Sequence, residues 1–131
     1  MSIHPEIDTY LDIQFLDCEV EGVKERQFIV LYRGDLVARV GVKAEGREFA
    51  EMRQLFVDED AREKGIGRHL VSECVDYASG ENCLSLAITI AKCNRGVIPF
   101  YTKLGFLPCY KFSDGELVMA LSLTGKEPSA P

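Results

Sequence analysis

The sequence predicts an α/β fold built on a mixed, mostly antiparallel sheet with one parallel strand pair and two flanking helices, on three observations. Runs rich in β-branched and aromatic residues at 26–32 (RQFIVLY), 36–43 and 50–57 follow one another across short glycine-containing turns, as in an antiparallel meander. From Gly65 the period changes, and Ile66, Leu70, Val71, Cys74, Val75 and Ala78 recur at three and four residues, one face of a helix. Residues 84–90 (LSLAITI) then return to strand character, and a strand, helix, strand unit is a right-handed crossover onto a parallel neighbour.

At 131 residues the chain has the size of one domain, read as residues 1–123, with a flexible tail over 124–131. An apolar content of 47% with 27% charged residues is that of a soluble globular protein. No apolar run reaches the roughly 20 residues of a membrane span, and the polar residues 1–12 do not read as a signal peptide, so a cytoplasmic protein without a membrane partner is expected. Five cysteines (18, 74, 83, 93 and 109) without CxxC spacing suggest neither a disulfide framework nor a zinc site, and with two histidines no metal is expected. Residues 1–25 hold seven acids against Lys24 alone, while the remainder balances at 14 acids and 14 bases. The whole excess of −6 therefore lies at one end, as a solvated face or an edge attractive to cations, and nucleic acid is disfavoured.

In chain order, residues 5–11 suit either a short helix opened by Pro5 or the start of a strand, with a strand favoured over 10–20. A turn around Gly22 leads to the strand at 26–32, Gly34-Asp35 is read as a two-residue hairpin loop, and Glu45-Gly46 as the next turn. A charged loop, 58–64, precedes the helix of 65–79, for which Gly80 is the expected C-terminal cap. Asn94 is expected to cap a helix over 95–104, with Pro99 in its first turn and Gly105 ending it. Strands at 106–112 and 116–123 form a last hairpin over Ser113-Asp114-Gly115.

The stretch from Phe49 to Leu70, FAEMRQLFVDEDAREKGIGRHL, carries the chemistry. A strand feeds a loop with Gly65 and Gly67 at a helix start, where glycines let the backbone approach a bulky anion and the free N–H groups and macrodipole point at it. The nucleotide pattern GxxxxGK[ST] is missing, and a dinucleotide fingerprint would need glycine where Leu70 stands. What remains is Arg62-x-x-Gly65-x-Gly67, followed by Asn94 to Phe106, NRGVIPFYTKLGF.

Together these stretches resemble the GNAT superfamily of acyl-CoA N-acyltransferases, which pairs an [RQ]-x-x-G-x-[GA] loop with a later N-x6-Y and a G-F ending, here Asn94, Tyr101 and Gly105-Phe106. The resemblance covers about residues 26–123. It implies that the parallel strands splay apart between 50–57 and 84–90, with the pantetheine arm of acetyl-CoA lying in the opening. It further implies that backbone at Leu55, Phe56 and Val57 bonds the pantetheine. The pyrophosphate would meet the N–H groups of Glu63, Lys64, Gly65, Ile66, Gly67 and Arg68 with Arg62, Lys64 and Arg68 adding charge, and Asn94 would lie near the thiol.

An alkylamine of ordinary pKa, about 10.4, is unprotonated about once in 2500 at pH 7, a handicap of about 4.6 kcal/mol that a base must relieve. Glu51, eleven residues before Arg62, matches the strand position of the general base in the histone-acetylating branch; an exposed carboxylate or a partner for Arg53 is the plainer alternative. Strand alternation sends Glu51, Arg53, Leu55 and Val57 to one face. Tyr101, in a Pro99-Phe100-Tyr101 run like that of the arylalkylamine-acetylating branch, is the candidate proton donor to the departing thiolate, or else a packed ring. Cys93 lacks a neighbouring histidine to make it a nucleophile.

Two features depart from the family. Only residues 21–25 separate the first two strands, where two lid helices are common, so the acceptor side should be open. Glu63 stands where glycine or a basic residue is usual. The expectation is a transferase moving acetyl from acetyl-CoA to a primary amine, on a protein or peptide or on a small molecule, by direct attack in a ternary complex. A second subunit completing the site, as in a homodimer, is one way to close the open side. The competing expectation is a weak or inactive member that acts by binding a partner protein.

Overall fold

Two tight turns set the register of the sheet. β1 (Leu11–Val20) and β2 (Val23–Tyr32) are joined by Glu21 and Gly22 at φ 52° and 82°, and β2 and β3 (Asp35–Glu45) by Arg33 and Gly34 at φ 54° and 89°. Positive φ at both central residues is the turn whose twist matches the strands it connects. The second hairpin loop is thus Arg33-Gly34 rather than Gly34-Asp35, because Asp35 already pairs with Tyr32. That register puts Phe28, Val30, Ala38, Val40 and Val42 on one face, all buried. The structure, a computed structural model, describes residues 11–45, 48–62 and 64–124. The ambiguous segment before Leu11, the turn at Gly46, Glu63 and the tail after Thr124 lie outside them.

β4 (Phe49–Val57) pairs antiparallel with β3, and a three-residue 3₁₀ turn (Glu59–Ala61) leads to helix α1 (Ile66–Gly80). The helix buries Ile66, Leu70, Val71, Cys74 and Ala78 against β3, β4 and β5 (Ser85–Ile90), and β5 runs parallel to β4. Gly80 does not cap α1 but closes its last turn. The left-handed residue is Asn82, φ 66°, with the Cys83 N–H on the Ala78 carbonyl (3.0 Å) and the Asn82 N–H on that of Ser79 (3.0 Å).

After β5 comes a 3₁₀ segment (Lys92–Val97) and then the short helix α2 (Ile98–Lys103), with Pro99 in its first turn. Asn94 sits inside the 3₁₀ segment at φ −118° and makes no side-chain cap, which corrects the expected helix start: the residues that were to open the α-helix use tighter bonding instead. β6 (Leu107–Lys111) and β7 (Leu117–Ser122) form the last hairpin, and the sheet order is β1-β2-β3-β4-β5-β7-β6, antiparallel except for β4–β5. The hairpin turn is held by Asp114 Oδ1, which accepts the Glu116 N–H at 2.9 Å.

α1 packs on the face that carries Val42, Met52 and Leu86, and α2 joins it there through Phe100 against Gly67. Phe106, Met52, Leu70, Leu86 and Met119 are the largest side chains sealed between these helices and the sheet. Among the described residues no helix covers the other face, and none is long and apolar enough to cross a membrane.

Candidate functional site

The β4–β5 ladder stops partway. Pairing runs from Phe49 with Ser85 to Met52 with Ile88 and ends there, although β4 continues to Val57. On the other flank of β4, Gly41 faces Arg53 while Arg39 faces Phe56, so three steps on β4 span two on β3. The extra residue is a bulge, with Gln54 in the left-handed region at φ 58°. A bulge bends the bulged strand and sharpens its twist, which carries the end of β4 away from β5 and leaves its β5-facing edge unpaired from Arg53 onward.

The bulge also overturns the expected alternation. Val57 faces Ala38, on the helix side, and Leu55 packs with it against the core. Glu51, Arg53 and Phe56 share the opposite face with Lys43, Gly41 and Arg39. One inserted residue reverses every side chain beyond it.

The open strands lead to the start of α1. Gly65 holds φ 84° and ψ 2°, a conformation that costs an L side chain about 1–2 kcal/mol, so glycine is required there. Among the described residues no side chain caps the helix, which leaves its first-turn N–H groups and the positive end of its dipole for another acceptor. Gly67 stands in the first turn of α1. A β-carbon there would lie 3.4 Å from Phe100 and 3.6 Å from Val57, ordinary contact distances, so alanine would fit.

The cations of the loop are not equivalent. Arg62 donates Nε–H to the Val57 carbonyl at 3.0 Å, tying the loop to the end of β4 and engaging one of the backbone groups expected to serve a ligand. Lys64 is half-buried at the rim of a cavity with Asp58 and Asp60, whereas Arg68 is exposed and has no partner among the described residues. The arrangement suits an anion at the helix start with an extended chain along the free edge of β4.

Tyr101 is only 4% exposed and is gripped edge-on by Phe100 (centroids 5.0 Å, 76°) and Phe106 (5.3 Å, 69°). Burial first, and Cys74 second, push its phenol up to about 12, so it keeps its proton at neutral pH; burial pushes the Cys74 thiol to about 12 as well. Asn94 is exposed, its N–H bonded to the Ala91 carbonyl at 2.9 Å. Glu51 is half-buried, lies directly across from Lys43 and next to Ala87, and has no hydrogen bond or ion pair among the described residues. Cys93 is exposed and free, and His69 is paired with Glu73 at 3.1 Å, so these residues offer no nucleophile and base in contact. Glu51 and Tyr101 thus lie on opposite sides of the sheet, on either side of the opening.

Sequence reasoning missed Gln54, because its left-handed backbone leaves no composition signal in a run of strand formers. It also missed Arg39 and Arg53 as face-mates, since the β3–β4 register that sets Gly41 across from Arg53 is not written in either strand alone.

The profile of the Acetyltransferase (GNAT) family matches residues 2–106. An uncharacterised N-acetyltransferase of Methanocaldococcus jannaschii is 39% identical over 62 residues, 47% of this chain and 27% of that protein, so the chain spans about a quarter of that relative. A GNAT-family acetyltransferase from Staphylococcus aureus superposes with a TM-score of 0.69 at 15% identity, over 76% of this chain and 68% of the other. An aminoglycoside 6'-N-acetyltransferase complexed with coenzyme A gives a TM-score of 0.67 at 15% identity, over 79% and 75%. At such identities the two structures speak to the fold alone.

Proposed function

Because the chain belongs to the acetyltransferase (GNAT) family, we propose that it transfers acetyl from acetyl-CoA to a primary amine by direct attack in a ternary complex. The observation that carries this is the β4–β5 ladder ending at Met52 and Ile88 together with the Gly65-led start of α1, uncapped among the described residues. An extended arm and a diphosphate are the two parts of coenzyme A that such a pair of features fits. The first-turn N–H groups from Ile66 to Arg68 would take the diphosphate, with Arg68 adding charge. The free edge at Leu55 and Phe56 would take the arm, with Asn94 toward its thiol end. Arg62 serves mainly by holding the loop on Val57.

The bound thioester supplies an activated acyl carbon and a thiolate leaving group. Glu51 receives the proton that the attacking amine gives up, directly or through water, as the carbon–nitrogen bond forms. Tyr101 holds a proton available to the sulfur as the carbon–sulfur bond breaks. With no nucleophile paired to a base among the described residues, direct attack needs fewer groups than a covalent relay. The near-complete burial of Tyr101 favours a second reading, in which the ring is structural and the chain acts by holding a partner protein.

A screen of amines and peptides for acetyl-CoA-dependent thiol release decides between them. Turnover supports the transferase; a thermal shift by acetyl-CoA without turnover supports the binding protein. Gly65→Glu places a carboxylate at the helix start and should abolish the shift, and a shift that survives it removes α1 from the cofactor site.

A further inference from the structure

The face of the sheet opposite the helices is uncovered among the described residues, and two of its arginines are placed together on the β3–β4 ladder. Arg39 and Arg53 stand diagonally across the β3–β4 ladder on this face, Gly41 facing Arg53 and Phe56 facing Arg39. Both are exposed. Arg26, Arg62 and Arg95 each bond an acid or a carbonyl, but neither Arg39 nor Arg53 has a hydrogen bond or ion pair among the described residues, not even with Glu51 two residues before Arg53. Arg53 is the first β4 residue past the last β5 pair, so it sits at the mouth of the opening. The other charges on this face among the described residues are Asp12, which accepts from the Gln14 amide at 2.8 Å, Glu25, which accepts from the Gln27 amide at 2.6 Å, Lys43 opposite Glu51, and Glu51 itself.

We infer that this face receives the amino terminus of an acidic peptide as acceptor, its carboxylates held by Arg39 and Arg53 while the terminal amine meets Glu51. The inference rests on the transferase reading above. Two planar guanidiniums left unpaired at long side-chain reach of each other match successive carboxylates. The Gln27 amide lies over Gly41, the residue facing Arg53, where a β-carbon would fall 2.6 Å from its Nε2, and offers a polar floor to peptide groups. An open two-arginine surface is heavily screened for one small anion, and a peptide recovers affinity by making several such contacts at once.

The test uses C-terminally labelled peptides with a free amino terminus followed by two acidic, two neutral or two basic residues, on the full chain with saturating coenzyme A. Fluorescence anisotropy should show the acidic peptide binding about tenfold or more tightly than the neutral one, and the gap closing in Arg39→Ala/Arg53→Ala or as salt is raised. KM for the acidic peptide should rise by about the same tenfold in that variant, while the thermal shift by acetyl-CoA is kept. Equal affinity for the three peptides, acidic-peptide binding unmoved by the double substitution, or free aspartate competing as well as the peptide would overturn the inference. Arginine-dependent binding of the acidic peptide without any turnover upholds the docking face and defeats the transferase reading instead.

Discussion

Phe106 donates its backbone N–H to the Tyr101 carbonyl at 3.1 Å and lays its ring 5.3 Å from the Tyr101 ring. With the Gly105 N–H on the Thr102 carbonyl (3.0 Å) and Gly105 at φ 100°, this is a left-handed helix stop with its apolar contact in place. The Tyr-x-x-x-Gly-Phe spacing is therefore a mechanical unit: the residue that ends α2 also sets the orientation of the tyrosine ring. The end of α1 repeats the hydrogen bonding with Ala78, Asn82 and Cys83.

Tyr101→Phe removes the hydroxyl and keeps the ring contacts, so it should leave the urea midpoint nearly unchanged and lower kcat on the order of 10²-fold with acetyl-CoA affinity retained. Phe106→Ala should cost about 3–5 kcal/mol in urea unfolding, as expected for a fully buried ring. An unchanged kcat in Tyr101→Phe assigns the ring to packing alone.

Gln54 is held in a left-handed conformation inside a strand, at φ 58°. Gln54→Gly should stabilise the protein or leave it unchanged, whereas Gln54→Val should cost about 1–2 kcal/mol, both read from urea titrations. Deleting Gln54 removes the extra residue, returns β4 to simple alternation and should abolish the acetyl-CoA thermal shift. A deletion variant that folds and still responds to acetyl-CoA separates the bulge from the binding edge.

Alkaline pH should unfold the protein through two buried groups. Tyr101 and Cys74 are both raised to about 12, from 10.0 and 9.0, and the unfolded chain releases these protons at the ordinary values. Their contribution is whole below pH 9. It then falls by about 1.4 kcal/mol per pH unit as the Cys74 of the unfolded chain ionises, and about twice as steeply between pH 10 and 12 when tyrosine joins it. Cys83, also raised by burial, acts in the same direction. Urea unfolding from about pH 8 to 11 checks this, and Cys74→Ala should flatten the loss between pH 9 and 10.

The meander, the helix after Gly65, the parallel strand beyond it and the final hairpin were legible because each writes a period or a turn signal into consecutive residues. Pro99 and Gly105 were read correctly for the same reason, since their backbone constraints are their own. Gly80 and Asn94 were not. A cap depends on which residue reaches the left-handed region or frees its side chain, and Asn82 took the first role while a 3₁₀ segment absorbed Asn94.

Sequence by itself determined the order of elements, the glycine that leads α1 and the tyrosine held by a glycine-phenylalanine stop, because local conformational preference and hydrophobic period are properties of neighbours in the chain. Tertiary structure alone decided how far β4 and β5 stay paired and which side chains share a face beyond Gln54. Both depend on one extra residue measured against a partner strand, so Val57 turned to the helices while Glu51 and Arg53, ahead of the bulge, kept the opposite face.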